Sequence, residues 1–299
     1  MKNGIWKYSK ILKTIDSKYW RSMGEGGTDT TNIAGIYMKR EDLNPTGSYK
    51  DRGVAYRISK ALENGEKQLV VTSTGNFAIS MATYGDKFGI KIIVFVPVNI
   101  SKEKANLLKN TNAVVYKVEK PILQAKQYCE ENKIAYIRQS IDISVSEGFK
   151  TLMFEILESS VVFDSIIFPV SSGSLLLSTY QALLEQNINP KPKLIAVQTT
   201  YNTYIAREFV QGYQKSLIPS VASSLNVKLR PERLDMVVDA IKKTSGTALV
   251  VNEKDILNTK EYLWQNNVCV GYESSASFFV AQNMSLKGHI LVISTGVLR

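Results

Sequence analysis

The sequence is poor in the residues that bind metal ions or form disulfides. Its 299 residues include one histidine, His289, and two cysteines, Cys129 and Cys269. Neither cysteine belongs to a Cys-x-x-Cys pair, so neither a structural zinc site nor a disulfide framework is expected. Apolar runs approaching 18 residues are also missing, which argues against a membrane-spanning helix. The first ten residues lack the apolar core of a signal peptide, and these absences together favour a cytoplasmic enzyme.

Acidic residues are fewer than basic ones. The chain has 37 lysines and arginines against 27 aspartates and glutamates, a formal net charge of +10. Basic proteins often bind nucleic acid. Here the lysines are scattered along the chain, and no basic run alternates with aromatic residues. A solvated, lysine-rich surface is therefore favoured over a nucleic-acid site.

Short runs of β-branched residues alternate with segments of helical spacing. The predicted strands are 36–39, 69–72, 92–96, 113–116, 166–168, 194–197 and 290–293. The predicted helices are one that follows residue 48 and others at 76–88, 101–110, 147–159, 174–187, 253–265 and 274–285. Continuous apolar strands that alternate with helices indicate parallel sheets covered on both faces. The length and the 44% hydrophobic content predict two α/β domains with a substantial core.

Residues 44–53 read NPTGSYKDRG and form the most distinctive stretch of the chain. Pro45 and Gly47 predict a turn, Ser48 is expected to cap the helix that follows, and Lys50 is expected one turn into it. Such a geometry holds a lysine firmly near the start of a helix, which suits an amine that must form an imine. A surface lysine after a turn is the alternative.

Two further loops each follow a predicted strand and precede a predicted helix. At residues 73–76, the unpaired N–H groups of a helix start suit a carboxylate, and a plain capping turn is the alternative. At residues 169–174, small side chains let an anion approach the backbone N–H groups, which suits a phosphate. A serine-rich turn is the alternative there. A third loop, Ser294–Gly296, follows the last predicted strand.

Taken in order, these motifs resemble those of the threonine synthases, within the tryptophan-synthase-β-like (fold type II) pyridoxal-phosphate enzymes. NPTGSYKDRG resembles the segment with the cofactor lysine, residues 23–28 resemble the family's GEGNTPL segment, and residues 273–276 resemble its EPASA segment. The resemblance implies two domains, each with a mostly parallel sheet flanked by helices. It places the larger domain at 1–44 and 146–299, the smaller inserted domain at 45–145, and the cofactor in the interdomain cleft.

The resemblance also implies which residues form the site. Lys50 is the implied Schiff-base residue and catalytic base. The implied cofactor-binding residues are Lys50, Asn76, Ser171, Ser172, Gly173, Ser174 and Thr295. The implied substrate-binding residues are Ser73, Thr74, Lys104 and Ser140. Among these, Ser73 and Thr74 are assigned to the substrate carboxylate, and the Thr295 hydroxyl to the pyridine nitrogen. No metal is implied.

One segment departs from the family pattern. Residues 139–151 resemble the family's NSVNPxRIEGQKT, with Ser140 retained and Val145 at the arginine position. Lys104 matches the family's phosphate-binding lysine, but a lysine offers a point charge whereas an arginine offers a planar fork of donors. Phe77 is a second departure, next to the 73–76 loop. This alignment predicts that Val145→Arg lowers the Michaelis constant for a phosphorylated substrate.

The resemblance implies a lyase that converts O-phosphohomoserine and water to threonine and phosphate, with pyridoxal 5'-phosphate as cofactor. It implies a small amino-acid substrate, a homodimer, and neither a nucleic-acid nor a membrane partner. A serine/threonine dehydratase or a β-replacement enzyme is the alternative among enzymes. A non-catalytic pyridoxal-phosphate-binding protein is the alternative from another class, and a basic RNA-binding protein is more distant.

Overall fold

The structure, a computed structural model, describes residues 4–73, 75–100, 102–227, 229 and 231–297. The strands in them are β1 (Thr30–Ile33), β2 (Ile36–Arg40), β3 (Gln68–Thr72), β4 (Lys91–Pro97), β5 (Val114–Val118), β6 (Ala135–Ile137), β7 (Ser165–Pro169), β8 (Lys193–Thr199), β9 (Thr247–Val251) and β10 (Ile290–Ser294). The helices are α1 (Lys50–Glu63), α2 (Asn76–Phe88), α3 (Lys102–Lys109), α4 (Pro121–Asn132), α5 (Ile143–Phe149), α6 (Thr151–Leu157), α7 (Ser174–Glu185), α8 (Pro231–Lys243), α9 (Glu253–Gln265) and α10 (Tyr272–Asn283). Short 3-10 helices lie at Gly4–Tyr8, Ser17–Tyr19, Glu41–Leu43, Ala206–Glu208 and Ser223–Asn226. The predicted α/β class is confirmed.

The described residues divide into two compact units. Unit 1 comprises those in 4–27 and 44–152, and unit 2 comprises those in 28–43 and 153–297. The unit that carries Lys50 thus extends beyond the bounds 45–145 that the resemblance implies. Its N-terminal segment is anchored by Trp6, whose ring lies 5.0 Å from that of Trp20 and 5.8 Å from that of Tyr56 on α1.

Unit 1 is built on a parallel sheet with the strand order β5-β4-β3-β6. The two central strands, β3 and β4, bury nearly all of their apolar side chains, as expected of strands covered on both faces. On one face, α4 contributes Ala125 and Cys129 to a cluster with Val70, Ile93 and Phe95. Because all four strands run in the same direction, the loops that follow them emerge at one edge of the sheet.

Unit 2 is built on a second sheet, with the strand order β1-β2-β10-β7-β8-β9. A hairpin with left-handed residues at Ala34 and Gly35 joins β1 to β2, and every other strand pair in this sheet is parallel. Helix α10 packs on one face of the sheet through side chains such as Phe278. Helix α8 packs against α7 and β8. The carboxyl ends of the neighbouring strands β7 and β10 lie at the same edge.

The predicted helix at 147–159 is replaced by two shorter ones, α5 and α6. Helix α5 begins four residues earlier than predicted, because the Asp142 carboxylate accepts a hydrogen bond of 2.9 Å from the Val145 N–H and caps the helix. The predicted helix began later because Ile143, in this first turn, is 69% exposed and does not belong to the buried apolar face of the helix. Within the described residues, no helix combines the length and the apolar character needed to cross a bilayer.

Candidate active site

Lys50 is the first residue of α1, not one turn into the helix as the sequence suggested. A turn at residues 44–47 precedes it, in which the Gly47 N–H donates to the Asn44 carbonyl at 2.7 Å. Gly47 has a φ of +78°, a left-handed value that favours glycine. The predicted turn therefore leads directly into the helix and places Lys50 at its start.

Asp51 stabilises this turn in place of the predicted Ser48 cap. The fully buried Asp51 carboxylate accepts hydrogen bonds from the Thr46 N–H at 2.6 Å, the Thr46 hydroxyl at 2.5 Å and the Ser80 hydroxyl at 2.5 Å. Since Ser80 lies on α2, the carboxylate also ties α2 to the turn. The Ser48 hydroxyl is fully buried and has no hydrogen-bond partner among the described residues.

The Lys50 amine lies against aromatic side chains. Its Nζ is 3.8 Å from the centre of the Tyr49 ring and donates a hydrogen bond to the Tyr49 hydroxyl. Gln139, which follows β6, donates to the same hydroxyl at 3.3 Å. The Phe149 ring packs 4.9 Å from that of Tyr49. Tyr49 and Gln139 thus hold the amine beside the edge of the sheet at which β6 ends.

The implied substrate-binding residues of unit 1 follow three neighbouring strands. Ser73 follows β3, Lys104 lies in the first turn of α3 after β4, and Ser140 follows β6. Asn76 begins α2, and the Gly75 N–H before it donates to the Ser73 hydroxyl at 3.3 Å. Because these strands are parallel, the residues lie at one edge of the sheet. Thr74 lies outside the described residues.

Val145 does not occupy a binding position. Its side chain is fully buried, and a Cβ atom added to Gly53 on α1 would lie 2.8 Å from Val145 Cγ1 and 2.6 Å from its carbonyl oxygen. Val145 therefore packs in the contact between α1 and α5. An arginine there would be forced into the core, so the expected gain in phosphate recognition becomes an expected loss of stability. Phe77, the other departure from the family pattern, is likewise buried.

In unit 2, the predicted phosphate loop joins β7 to α7. Gly173 has a φ of +70°, and a Cβ atom there would lie 2.3 Å from Val237 Cγ2 on α8. Ser174 is the buried first residue of α7, and its hydroxyl lies 3.1 Å from that of Ser172. The first intrahelical bond runs from the Leu177 N–H to the Gly173 carbonyl, so the helix start presents N–H groups that are not used within α7.

Arg233 is a residue of this loop's surroundings that the sequence did not reveal. It lies in the first turn of α8, and its Nε donates to the Ser172 carbonyl at 2.7 Å. Its Nη2 donates to the Ser174 hydroxyl at 2.9 Å. No motif pointed to Arg233, because it is some 60 positions from the loop and on a helix that was not predicted.

Thr295 follows β10. Because β10 and β7 are parallel neighbours, Thr295 and the 171–174 loop lie at the same edge of the sheet. Its N–H donates to the Ser274 hydroxyl at 3.2 Å, which donates to the Ser294 hydroxyl at 3.3 Å. The Ser294 hydroxyl donates in turn to the Asp42 carboxylate at 2.7 Å, and Arg40 pairs with that carboxylate at 2.7 Å. This chain of donors fixes the backbone at Thr295. The neighbouring Glu273 accepts hydrogen bonds from the N–H and hydroxyl of Ser224.

The residues present fit the cofactor that the motifs imply. The orphaned hydroxyl of Ser48, two positions before Lys50, is a buried polar atom that a bound group would satisfy. The 171–174 loop joins small side chains to a helix start and a guanidinium, all of which favour a phosphate dianion. Thr295, the residue that the resemblance assigns to the pyridine nitrogen, has a neutral hydroxyl rather than a carboxylate.

Known proteins resemble the chain over most of its length. Residues 23–296 match the family model described as pyridoxal-phosphate dependent enzyme. A threonine synthase of Methanosarcina acetivorans is 28% identical over 284 residues, which cover 87% of this chain and 69% of that protein. An L-threonine ammonia-lyase of Thermotoga maritima is 27% identical over 273 residues, which cover 87% of this chain and 67% of that protein.

A solved structure shares the fold. Maize serine racemase superimposes with a TM-score of 0.79 at 21% identity, covering 91% of this chain and 88% of that one. At this identity the likeness shows the architecture alone, whereas the family model covers the lysine motif, the phosphate loop and Thr295. The chain therefore belongs to the fold-type-II family of pyridoxal-phosphate dependent enzymes, and pyridoxal 5'-phosphate is its cofactor.

Proposed function

We propose that this protein is a threonine synthase-like lyase that converts O-phosphohomoserine and water to threonine and phosphate. The observation that carries the proposal is the grouping of Ser73, Lys104 and Ser140 at the edge of the sheet beside which Gln139 and Tyr49 hold the Lys50 amine. These three residues together suit a substrate that has both an amino acid's carboxylate and a phosphate. The similarity to threonine synthases over 87% of the chain supports the same choice.

In the proposed reaction, Lys50 would hold the cofactor, and its amine, when free, would take the proton from the substrate Cα. The bound cofactor supplies a conjugated ring that delocalises the electrons left at Cα. Tyr49 orients the Lys50 amine through its hydroxyl, and Gln139 orients Tyr49. These contacts restrict the directions from which the amine can reach a substrate proton.

The other residues bind and orient. The start of α2 and Ser73 are assigned to the substrate carboxylate, because N–H groups at a helix start favour negative charge. Asn76 is assigned to the phenolic oxygen of the cofactor, the 171–174 loop to its phosphate and Thr295 to its ring nitrogen. Lys104 and Ser140 are assigned to the phosphate of the substrate, which a lysine attracts as a point charge.

A serine/threonine dehydratase is the second candidate, and the burial of Val145 favours it. The position that matches a phosphate-binding arginine is part of the core here, so the substrate phosphate has one cation fewer than the family pattern supplies. A dehydratase acts on a hydroxy-amino acid without a phosphate and needs no such site. The similarity to an L-threonine ammonia-lyase is consistent with this second candidate.

Product analysis separates the two candidates. The purified protein, saturated with pyridoxal phosphate, is incubated separately with O-phosphohomoserine, threonine and serine. Release of phosphate with formation of threonine supports the proposal. Rapid formation of 2-oxo acids from threonine or serine, with phosphohomoserine left unchanged, contradicts it and supports the dehydratase.

A pair of lysine variants tests the substrate phosphate site. Lys104→Ala is expected to raise the Michaelis constant for phosphohomoserine by about 10- to 100-fold, the usual loss for one charge-assisted contact. It is expected to leave any deamination of threonine unchanged. Lys102→Ala is the matched control, because Lys102 is an exposed residue of the same helix. Equal effects of the two variants on phosphohomoserine would remove Lys104 from the site.

A further inference from the structure

Arg233 connects α8 to the loop that begins α7. Its two donor atoms contact the Ser172 carbonyl and the Ser174 hydroxyl, both in the loop that matches the family's phosphate-binding segment. Val237, one turn further along α8, fills the space that a side chain at position 173 would need. One face of α8 therefore determines both the backbone conformation and the polar surroundings of the loop.

Arg233 brings a positive charge to a loop whose contacted side chains and backbone groups are neutral. Each helix N-terminus carries about half a positive charge, and the first turns of α7 and α8 meet at Arg233. The Arg233 guanidinium, which contacts the first residue of α7, adds to the positive potential there. Glu232, in the same turn as Arg233, is exposed to solvent. An anion bound at the loop would be stabilised by the Arg233 guanidinium and by the start of α7.

The hydrogen bonds of Arg233 also orient the loop for an anion. Because Nε donates to the Ser172 carbonyl, the partial negative charge of that oxygen is compensated, so that it repels a bound phosphate less. The Ser174 hydroxyl accepts from Nη2 and also lies 3.1 Å from the Ser172 hydroxyl, so Arg233 and the two serines form one hydrogen-bonded group. The loop has Gly173 as its single glycine, so serine side chains stand where a glycine-rich loop would leave the backbone bare. The hydrogen bonds of Arg233 hold Ser172 and Ser174 in position.

We propose that Arg233 is a positioning residue of the cofactor site, which holds the 171–174 loop in its anion-binding conformation and adds a positive charge toward the cofactor's phosphate. This inference rests on the assignment of the loop to pyridoxal phosphate and is independent of which reaction the enzyme catalyses.

Cofactor titration of the full-length protein, first stripped of cofactor, tests this inference. Affinity is measured by absorbance and fluorescence for pyridoxal phosphate and for pyridoxal, which lacks the phosphate. Arg233→Gln is expected to weaken the binding of pyridoxal phosphate by about 10- to 100-fold and that of pyridoxal by less than about twofold. Arg233→Lys is expected to fall between wild type and Arg233→Gln, because it keeps the charge but loses the fork.

Arg207→Gln serves as the matched control. Arg207 is an exposed arginine of the same unit, and it donates to the Tyr213 carbonyl rather than to the phosphate loop. Its variant is expected to bind both ligands as wild type does. Inorganic phosphate is a second probe, expected to raise the melting temperature of the cofactor-free wild type and of Arg207→Gln but not that of Arg233→Gln.

The inference is overturned if Arg233→Gln binds pyridoxal phosphate as tightly as wild type, or if it weakens pyridoxal and pyridoxal phosphate equally. The second result would show a merely structural role. Should Arg233→Gln not fold, an unchanged ratio of the two affinities in Arg233→Lys overturns the inference in the same way. A wild type that binds pyridoxal phosphate but makes no threonine would contradict the proposed reaction alone.

Discussion

Val145→Arg is expected to destabilise the protein strongly instead of improving substrate recognition. The side chain of Val145 is fully buried, and its Cγ1 and carbonyl oxygen lie within 2.8 Å of the place where a Cβ on Gly53 would stand. Arginine is several heavy atoms longer than valine, so it cannot fit without separating α1 from α5. Its charge would also enter a region packed with Phe149 and the backbone of α1.

Two unfavourable free-energy terms add together in Val145→Arg. Overpacking a well-filled core costs about 1–3 kcal/mol, and burying a charge without a partner costs several kcal/mol more. We therefore expect the free energy of unfolding to fall by about 4 kcal/mol or more, which is a large part of the stability of an ordinary domain. Urea unfolding followed by circular dichroism measures this change.

Ile143→Arg is the matched control for the burial argument. Ile143 lies two positions earlier on the same helix and is 69% exposed, so an arginine there is expected to change the stability by less than about 0.5 kcal/mol. If Val145→Arg is as stable as Ile143→Arg and lowers the Michaelis constant for phosphohomoserine, then position 145 faces the substrate. That result would refute the reasoning from its burial.

Three further predictions concern other contacts. Tyr49→Phe removes the hydroxyl that accepts from Lys50, and kcat is expected to fall by about 10-fold or more with little change in cofactor affinity; Tyr136→Phe, whose hydroxyl contacts Thr72, should leave kcat unchanged. Ser294→Ala interrupts the chain of donors between Thr295 and Asp42 and is expected to cost about 1–3 kcal/mol in urea unfolding; a change near zero would contradict a role for the chain. Burial raises the pKa of the Glu25 carboxyl above its ordinary value of 4.5, so its stabilising contribution is complete below that value and is lost as pH rises through the raised pKa. Unfolding measured from pH 4 to 8 should therefore show a shallower decline in Glu25→Gln than in wild type, and parallel curves would contradict this.

The sequence predicted the fold where local pattern and burial agree. The β-branched runs that became β3 and β4 are buried on both faces, so their apolar character was continuous and visible. It missed β6, because a strand of three residues that is half-exposed has no period to detect. It also missed α4, whose apolar side chains are split between a buried pair and the exposed Ile122 and Leu123.

The candidate site was predictable only as far as its motifs reach. Lys50 and Gly173 lie in short segments whose turn or loop geometry is determined by the neighbouring residues. Contacts between residues that are far apart in the sequence cannot be predicted from such local patterns. The Asp51 carboxylate replaces the predicted Ser48 cap because Ser80, from another helix, donates to it. Arg233 reaches the phosphate loop only because α8 packs on α7.

The central claim is that Lys50 carries the cofactor, and trapping the bond tests it most directly. Borohydride reduces the linkage between pyridoxal phosphate and its lysine to a stable amine, which mass spectrometry of a proteolytic digest assigns to one residue. We predict a single adduct on Lys50, at the start of α1, and none in Lys50→Ala prepared in the same way. An adduct on a different lysine of the wild type, or no adduct in a protein saturated with cofactor, would contradict the account.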